Sequence, residues 1–277
     1  MGSAMATNAA KAGFRVHGYD PVAAARNALK KAGGHPEKAA AEVAAAAEVL
    51  ITSLPSAQAL HDVARELTGK GRVVMETSTL PIEEKEKARQ ALAKKGITLL
   101  DCPLSGTGAQ ARAKDLVIFV SGDKAGAKKV EPFLPGFTRA HYYLGEFGNG
   151  SKMKFVANLL VAIHNVSTAE AFVLGMKAGL DPKVIFEVMA NSAGASRMLQ
   201  VRGPQMVAND YDTATISVKL FQKDMKIIGE FATELGASTP LFNTSAMIYN
   251  AAMGMGLDRK DTAAVCEVLE SMSGVKR

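Results

Sequence analysis

A lysine and an asparagine follow a glycine-rich stretch near the middle of the chain. Lys154 and Asn158 come after Gly148-Asn149-Gly150, and their four-residue spacing places both side chains on one face of a helix. The dipole at a helix N-terminus disfavours a charged ammonium, so this lysine gives up its proton more readily. Such a lysine can serve as a general acid or base. Lys152 is the alternative, and the spacing favours Lys154 only because Asn158 shares its face.

The N-terminus carries the second half of a dinucleotide-binding fingerprint. That fingerprint has a strand, two glycines in a tight turn, a third glycine in the helix, and an acid about 20 residues later for the ribose hydroxyls. Gly2 fits the third glycine and Asp20 fits the acid. The sequence contains neither the strand nor the first two glycines, which predicts a late start, a trimmed chain or a true loss of the first strand. The alternative is that Met1 begins an ordinary helix.

Cofactor choice follows from the same acid. A carboxylate at this position accepts hydrogen bonds from the ribose and repels a 2′-phosphate, so Asp20 favours NAD. NADP stays open because Arg26, on the next predicted helix, could reach a phosphate.

Short apolar runs alternate with helical segments up to about residue 147. Strands are predicted at 14–19, 49–54, 72–76, 97–101, 116–121 and 141–144, with helices at 22–32, 57–67, 82–95 and 125–134. Only helical periodicity follows, at 151–178, 182–193, 217–235, 240–253 and 261–272. The pattern predicts an α/β, Rossmann-type domain over 1–147, with a mostly parallel sheet that lacks its first strand, and an all-helical domain over 148–277.

Three polar loops follow consecutive predicted strands, at 52–56, 76–81 and 101–108. Ligands of open parallel sheets bind at the carboxyl ends of the strands, so the loops are candidate binding segments around a cleft between the two domains. Each loop alone could be no more than a turn with a helix N-cap.

Composition narrows the possible partners. The net charge is +6, but the basic residues are scattered and only 6% of residues are aromatic, which argues against nucleic acid. No uninterrupted apolar run reaches about 18 residues, so no membrane span is predicted. Two cysteines favour a reducing, cytoplasmic location, and no histidine or cysteine spacing indicates a metal site.

Taken together, these motifs resemble the β-hydroxyacid dehydrogenase family, which includes 3-hydroxyisobutyrate dehydrogenase, tartronate semialdehyde reductase and, more distantly, 6-phosphogluconate dehydrogenase. The resemblance covers essentially the whole chain. Its segments are Met1-Gly2 with Asn8 and Gly13, Asp101-Cys102-Pro103-Leu104-Ser105-Gly106, Gly148-x-Gly150 with Lys154 and Asn158, and Lys223-Asp224.

The resemblance implies a role for each matching residue. Lys154 is the catalytic acid/base, and the substrate is held by Ser105, Gly106, Thr107 and Asn158. The cofactor is lined by Leu54, Pro55, Thr79 and Lys223, together with Gly2 and Asp20. Two departures are present: Thr107 stands where the family usually has a glycine, and Ala157 stands where it commonly has an asparagine.

The implied reaction is hydride transfer between a nicotinamide cofactor and a small 3-hydroxy acid or its semialdehyde. An imine reductase shares the fold but typically lacks the lysine. A second alternative is a non-catalytic relative that serves as a binding or scaffold protein. The apolar segments 155–163 and 242–255 predict a homo-oligomer through the helical domain.

Overall fold

The computed structural model describes residues 1–277 and contains eight strands and thirteen α-helices. The strands are β1 His17–Gly18, β2 His35–Pro36, β3 Val49–Thr52, β4 Val73–Glu76, β5 Thr98–Asp101, β6 Leu104–Ser105, β7 Val117–Val120 and β8 Ala140–Tyr143. The first seven helices are α1 Gly2–Lys11, α2 Ala23–Lys31, α3 Ala40–Ala46, α4 Ala57–Glu66, α5 Ile82–Ala93, α6 Gly108–Arg112 and α7 Lys124–Val130. The others are α8 Asn149–Lys177, α9 Pro182–Ala190, α10 Arg197–Ala208, α11 Val218–Glu234, α12 Pro240–Gly254 and α13 Val265–Ser273.

The chain divides into two compact units, Met1–Lys154 and Phe155–Arg277, with the boundary inside α8. The first unit is α/β and the second contains helices only, so the predicted fold class is confirmed. The assignment of 1–147 to the cofactor and 148–277 to substrate and oligomer contacts stays a prediction.

The strands form three small sheets. Parallel pairing gives β1-β2 and β3-β4-β5, and β7 pairs parallel with β8 and antiparallel with β6. The prediction missed β2 and β6 because strands of two residues are too short to show an alternating pattern. No strand precedes α1, and β1 and β3 lie in different sheets. The loss of an upstream strand stays a prediction.

The β3-β4-β5 sheet is covered on both faces, as parallel sheets usually are. Successive residues of a strand point to opposite faces, and β4 shows this directly, since Val74 packs in one hydrophobic cluster and Val73 and Met75 in the other. One cluster joins the sheet to α3, α4 and α5, and the other joins it to α1, α6 and α7. Their members include Leu50, Leu60, Leu92 and Leu99 on the first face, and Met5, Leu100, Ala111 and Val130 on the second.

Aromatic packing and buried polar contacts hold the helical unit together. The rings of Phe155 and Phe231 meet edge to face at 5.2 Å, and Asn165 Nδ2 donates to the hydroxyl of Tyr249 at 2.9 Å. Burial raises the pKa of Tyr249, so this hydroxyl stays protonated. The prediction missed α10 because its Pro204 argues against a helix interior.

Helix α8 is long and apolar enough to cross a membrane by length and composition alone. It has 29 residues, and the mean hydropathy over an 18-residue window is 1.5. The core helix of a soluble protein passes the same test. Asn158, Asn165 and Thr168 are buried in α8, which is typical of a helix packed inside a protein. The absence of a membrane partner stays a prediction.

The start of α8 lies directly against the sheet of the first unit, and Gly150 makes this approach possible. A Cβ added at Gly150 would lie 2.7 Å from the carbonyl oxygen of Asp101, 2.8 Å from that of Phe119 and 3.0 Å from Cδ of Pro103. Two of these neighbours are backbone atoms that cannot turn aside. Any side chain at this position therefore displaces the helix or the strands.

We expect Gly150→Ala to lower the free energy of unfolding by about 1–3 kcal/mol because of this overpacking. Gly229→Ala is the matched control, because it also lies within a helix and its added Cβ meets only a ring atom of Phe242 at 4.0 Å. That control should be neutral or stabilise by up to about 1 kcal/mol. Urea denaturation followed by circular dichroism measures both, and equal effects of the two changes would contradict the packing argument.

Candidate functional site

Three polar side chains end the central strands of the first unit. Thr52 pairs in register with Glu76, and Glu76 with Asp101, so the three residues lie side by side at the carboxyl edge of the sheet. Their exposed fractions are 8%, 0% and 0%. Buried carboxylates need hydrogen-bond partners, and the partners of these two organise the loops that follow the strands.

Glu76 connects two of the predicted binding loops. Its carboxylate accepts from the hydroxyl of Thr52 at 2.6 Å and from the backbone N–H of Ser78 at 2.6 Å. The hydroxyl of Ser78 in turn accepts from the backbone N–H of Leu54 at 2.7 Å. The structure thus links the loop that carries Leu54 to the loop that carries Thr79.

Glu76 was not among the residues predicted to have a role. An acid at the end of an otherwise apolar strand was the available signal, because such a strand end is buried and a charge there needs partners. Pro55 lies next to Leu54 and is exposed.

The predicted loop 101–108 contains the short strand β6 and then turns sharply at Gly106. This glycine has a φ of +136°, and an added Cβ would lie 2.7 Å from Cδ2 of Leu116. Thr107 then caps α6, where its hydroxyl accepts from the N–H of Gln110 at 3.4 Å and its own N–H donates to the Gln110 side chain at 2.9 Å. Ser105 ends β6 directly before this turn. Thr107, which departs from the family pattern, therefore has a local structural role.

Cys102 lies beside this loop but is not suited to be a nucleophile. The side chain is fully buried. Burial, and then the nearby charge of Asp101, raise the pKa of its thiol. A thiol that stays protonated at neutral pH reacts poorly.

The two predicted cofactor residues near the N-terminus lie at the start of α1 and after β1. A Cβ added at Gly2 would meet Cβ of Ser53, in the loop after β3, at 3.6 Å, an ordinary contact, so packing does not demand a glycine there. The carboxylate of Asp20 accepts from the N–H of Val22 at 2.8 Å. Arg26 donates to the backbone carbonyls of Asp20 and Pro21.

Both candidate lysines lie on α8, and they differ in how far their side chains are exposed. Lys154 lies in its second turn with an exposed fraction of 8%. Lys152 is exposed and donates to the side chain of Asn149 at 3.2 Å. Burial disfavours the charged form of an amine. Low exposure therefore suits a lysine that gains and loses a proton better than full solvation does.

The helical unit brings together the other two predicted residues. Asn158 Nδ2 donates to one oxygen of Asp224 at 2.9 Å, and Nζ of Lys223 lies 3.3 Å from the other oxygen. Asp224 is 7% exposed. A single carboxylate therefore orients both Asn158 and Lys223, a role that the sequence pair Lys223-Asp224 alone did not reveal.

Comparison with known proteins identifies relatives along almost the whole chain. Residues 1–145 match the NAD-binding domain of 6-phosphogluconate dehydrogenase. Residues 148–269 match the family described as NAD-binding of NADP-dependent 3-hydroxyisobutyrate dehydrogenase. The chain is 31% identical to 2-(hydroxymethyl)glutarate dehydrogenase of Eubacterium barkeri, over 99% of this chain and 93% of that protein.

Solved structures show the same relationship. The crystal structure of 3-hydroxyisobutyrate dehydrogenase from Salmonella typhimurium superposes with a TM-score of 0.87 at 27% identity and covers 96% of this chain and 95% of its own. An imine reductase from Pseudomonas sp. gives a TM-score of 0.55 at 17% identity, with 97% and 96% covered, which is a likeness of fold alone. The chain thus belongs to the β-hydroxyacid dehydrogenase family, and it is a nicotinamide-dependent hydroxy-acid dehydrogenase that acts on CH–OH groups.

Proposed function

We propose that this dehydrogenase interconverts a small 3-hydroxy acid and its semialdehyde, with Lys154 as the general acid/base. The observation that carries the proposal is the contrast on α8 between Lys154, which is almost buried, and Lys152, which is solvated. The low exposure of the Lys154 side chain supports this residue over Lys152 as the acid/base.

The proton and the hydride leave the substrate toward different acceptors. In the oxidation, the neutral amine of Lys154 takes the hydroxyl proton while the C–H bond breaks and the carbonyl double bond forms. A bound nicotinamide supplies the acceptor for the hydride. In the reduction, the ammonium of Lys154 returns a proton to the carbonyl oxygen. The lysine must therefore be neutral for one direction and charged for the other.

In this proposal, each substrate-binding residue takes the role that the family resemblance implies. Ser105, the backbone at Gly106 and Thr107 hold the carboxylate, and Asn158 orients the hydroxyl or the lysine. Two relatives act, by their names, on 2-(hydroxymethyl)glutarate and 3-hydroxyisobutyrate. Both acids carry a hydroxymethyl group on the carbon next to a carboxylate, and we propose the same substrate class here.

The cofactor is proposed to bind at the strand ends of the first unit. Leu54, Pro55 and Thr79 lie in loops that Glu76 and Ser78 connect, and Lys223 is also proposed to line the cofactor. We propose NAD as the preferred form because Asp20 repels a 2′-phosphate. The guanidinium of Arg26 supports this preference, since it is engaged on backbone carbonyls.

The two alternative functions, an imine reductase and a scaffold protein, predict different properties. An imine reductase is disfavoured because, by the family resemblance, such an enzyme typically lacks the catalytic lysine, and its likeness to this chain is confined to the fold. A scaffold protein would not need to bind NADH. Self-association through helical-unit residues and a cytoplasmic location are further proposals, supported by exposed apolar side chains on the helices and by two free cysteines.

We expect Lys154→Ala to lower kcat by about 10²–10⁴-fold, because the proton then has no acceptor. Binding of NADH, followed by its fluorescence, should stay within about threefold of the unchanged protein, which also tests the scaffold alternative. Lys152→Ala is the matched control and should keep kcat within about twofold. Substantial activity in the Lys154 variant would move the role to Lys152 or elsewhere.

The NAD preference predicts a larger kcat/KM with NADH than with NADPH. We expect Asp20→Ser to lower the ratio of kcat/KM with NADH to kcat/KM with NADPH by about 10-fold. The reason is that a repulsion of about 1–2 kcal/mol between the carboxylate and the 2′-phosphate is removed. Glu37→Gln is the control. Glu37 is an acid that contacts His17 of β1, but it follows β2 and not β1, so the change should leave the ratio unaltered. A clear NADPH preference in the unchanged protein would refute the argument from Asp20.

Self-association predicts a mass in solution above the 29.1 kDa of one chain. Val156 and Leu160 lie one turn apart on α8, within the predicted segment 155–163, with exposed fractions of 55% and 46%. We expect Val156→Lys with Leu160→Lys to lower the mass measured by light scattering, whereas Leu235→Lys, which lies at the end of α11 and outside both predicted segments, should not. A monomeric unchanged protein would contradict the proposal.

A further inference from the structure

One fully buried ion pair makes none of the contacts proposed with substrate or cofactor. Nζ of Lys85, on α5, is 2.8 Å from Oδ1 of Asp101 at the end of β5, and the exposed fraction of each side chain is 0%. Lys85 lies on the apolar face of α5 with Ala88 and Leu92. Burial of a lysine on that face costs free energy unless a charged partner is present. Asp101 is that partner, and it makes further contacts.

The carboxylate of Asp101 also holds the first turn of α8. Its Oδ2 accepts from the backbone N–H of Ser151 at 2.7 Å, and its Oδ1 accepts from the hydroxyl of Ser151 at 2.8 Å. Ser121 extends the same cluster, since its hydroxyl lies 3.4 Å from Oδ2 and accepts from the N–H of Gly150 at 2.9 Å. Two N–H groups that have no partner inside the helix are thereby satisfied, and a negative charge faces the positive end of the helix dipole.

Ser151 sets the position of the next turn of the helix. Lys154 comes three residues later, and the hydrogen-bonded backbone between them is rigid. A shift of Ser151 therefore moves the amine of Lys154 by a similar amount. Asp101 itself is sealed from solvent, so it acts through α8 rather than on the substrate.

We propose that Asp101 is the positioning residue for Lys154, with Lys85 as its counter-ion and Ser151 and Ser121 as the contacts that transmit the position. This inference rests on the proposed acid/base role of Lys154. A displacement of about 1 Å at a reacting group can cost on the order of 100-fold in rate. A residue without any contact to substrate thus controls kcat.

The test compares two double variants in which both charges of the pair are removed, so that neither charge stays buried without its partner. Lys85→Met with Asp101→Asn keeps one side-chain oxygen that accepts from Ser151, whereas Lys85→Met with Asp101→Leu keeps none. We expect kcat of the asparagine pair to stay within about threefold of the unchanged protein. The leucine pair should lose kcat by about 10–100-fold, with KM for NADH changed by less than about threefold.

A second buried pair serves as the matched control for stability. In the helical unit, Asp261 is 0% exposed, lies 3.2 Å from Nη1 of Arg202 and caps the N–H of Ala263 at 3.0 Å. Arg202→Met with Asp261→Leu removes the same chemistry away from α8. It should lower the unfolding temperature while kcat per NADH-binding site is unchanged.

Each outcome is decisive. A folded leucine pair with the kcat of the asparagine pair overturns the inference, as does a loss confined to KM. If the leucine pair does not fold, Ser151→Ala takes its place: a fall in kcat of about 3–10-fold supports the inference and an unchanged kcat overturns it. An active Lys154→Ala variant would instead overturn the proposed function itself, whereas an inactive one beside an unaffected leucine pair removes only the positioning role.

Discussion

The carboxylate of Asp101 is the contact on which the first unit depends. It ends β5, neutralises Lys85 of α5 and binds the first turn of α8. Burial in a medium of low polarity makes each of these interactions stronger and makes the loss of any one of them costly. Three elements that are distant in sequence are thereby held in one arrangement. Gly150 completes it, because only a residue without a side chain lets α8 begin against the carbonyls of Asp101 and Phe119.

The division between apolar faces and a polar edge explains how one sheet can be both stable and functional. The faces of β3-β4-β5 are filled by aliphatic side chains from helices on both sides. The edge is a row of Thr52, Glu76 and Asp101, whose partners reach into the following loops. Loop positions are thus set by hydrogen bonds from rigid strand ends. This is how flexible segments acquire the precision that cofactor and substrate binding require.

The helical unit uses the same device with a different carboxylate. Asp224 is nearly buried and contacts Asn158 on α8 and Lys223 on α11. Both partners are residues to which the family resemblance gives contacts with substrate or cofactor. In this chain the acid therefore orients both of these residues. The buried pair of Arg202 and Asp261 is a similar arrangement that packs the unit without any link to the proposed chemistry.

The sequence by itself determined the fold class, the family and the order of most of the helices and strands. Alternation of apolar runs with helical periodicity reported six of the eight strands within a few residues, because burial of one face imposes a period that local sequence reveals. Glycines near Lys154, together with its spacing from Asn158, predicted the segment that is proposed for acid/base chemistry. Motifs of this kind are readable because their residues are neighbours along one element.

Tertiary structure alone decided how those segments are held. Glu76 and Lys85 could not be assigned roles, since their partners Ser78, Thr52 and Asp101 are brought to them by strand register and helix packing rather than by periodicity. Burial likewise distinguishes the side chains of Lys152 and Lys154, which the sequence left as alternatives for the proposed role. The energy of a buried charge depends on everything that surrounds it in space, and a linear pattern does not contain those surroundings.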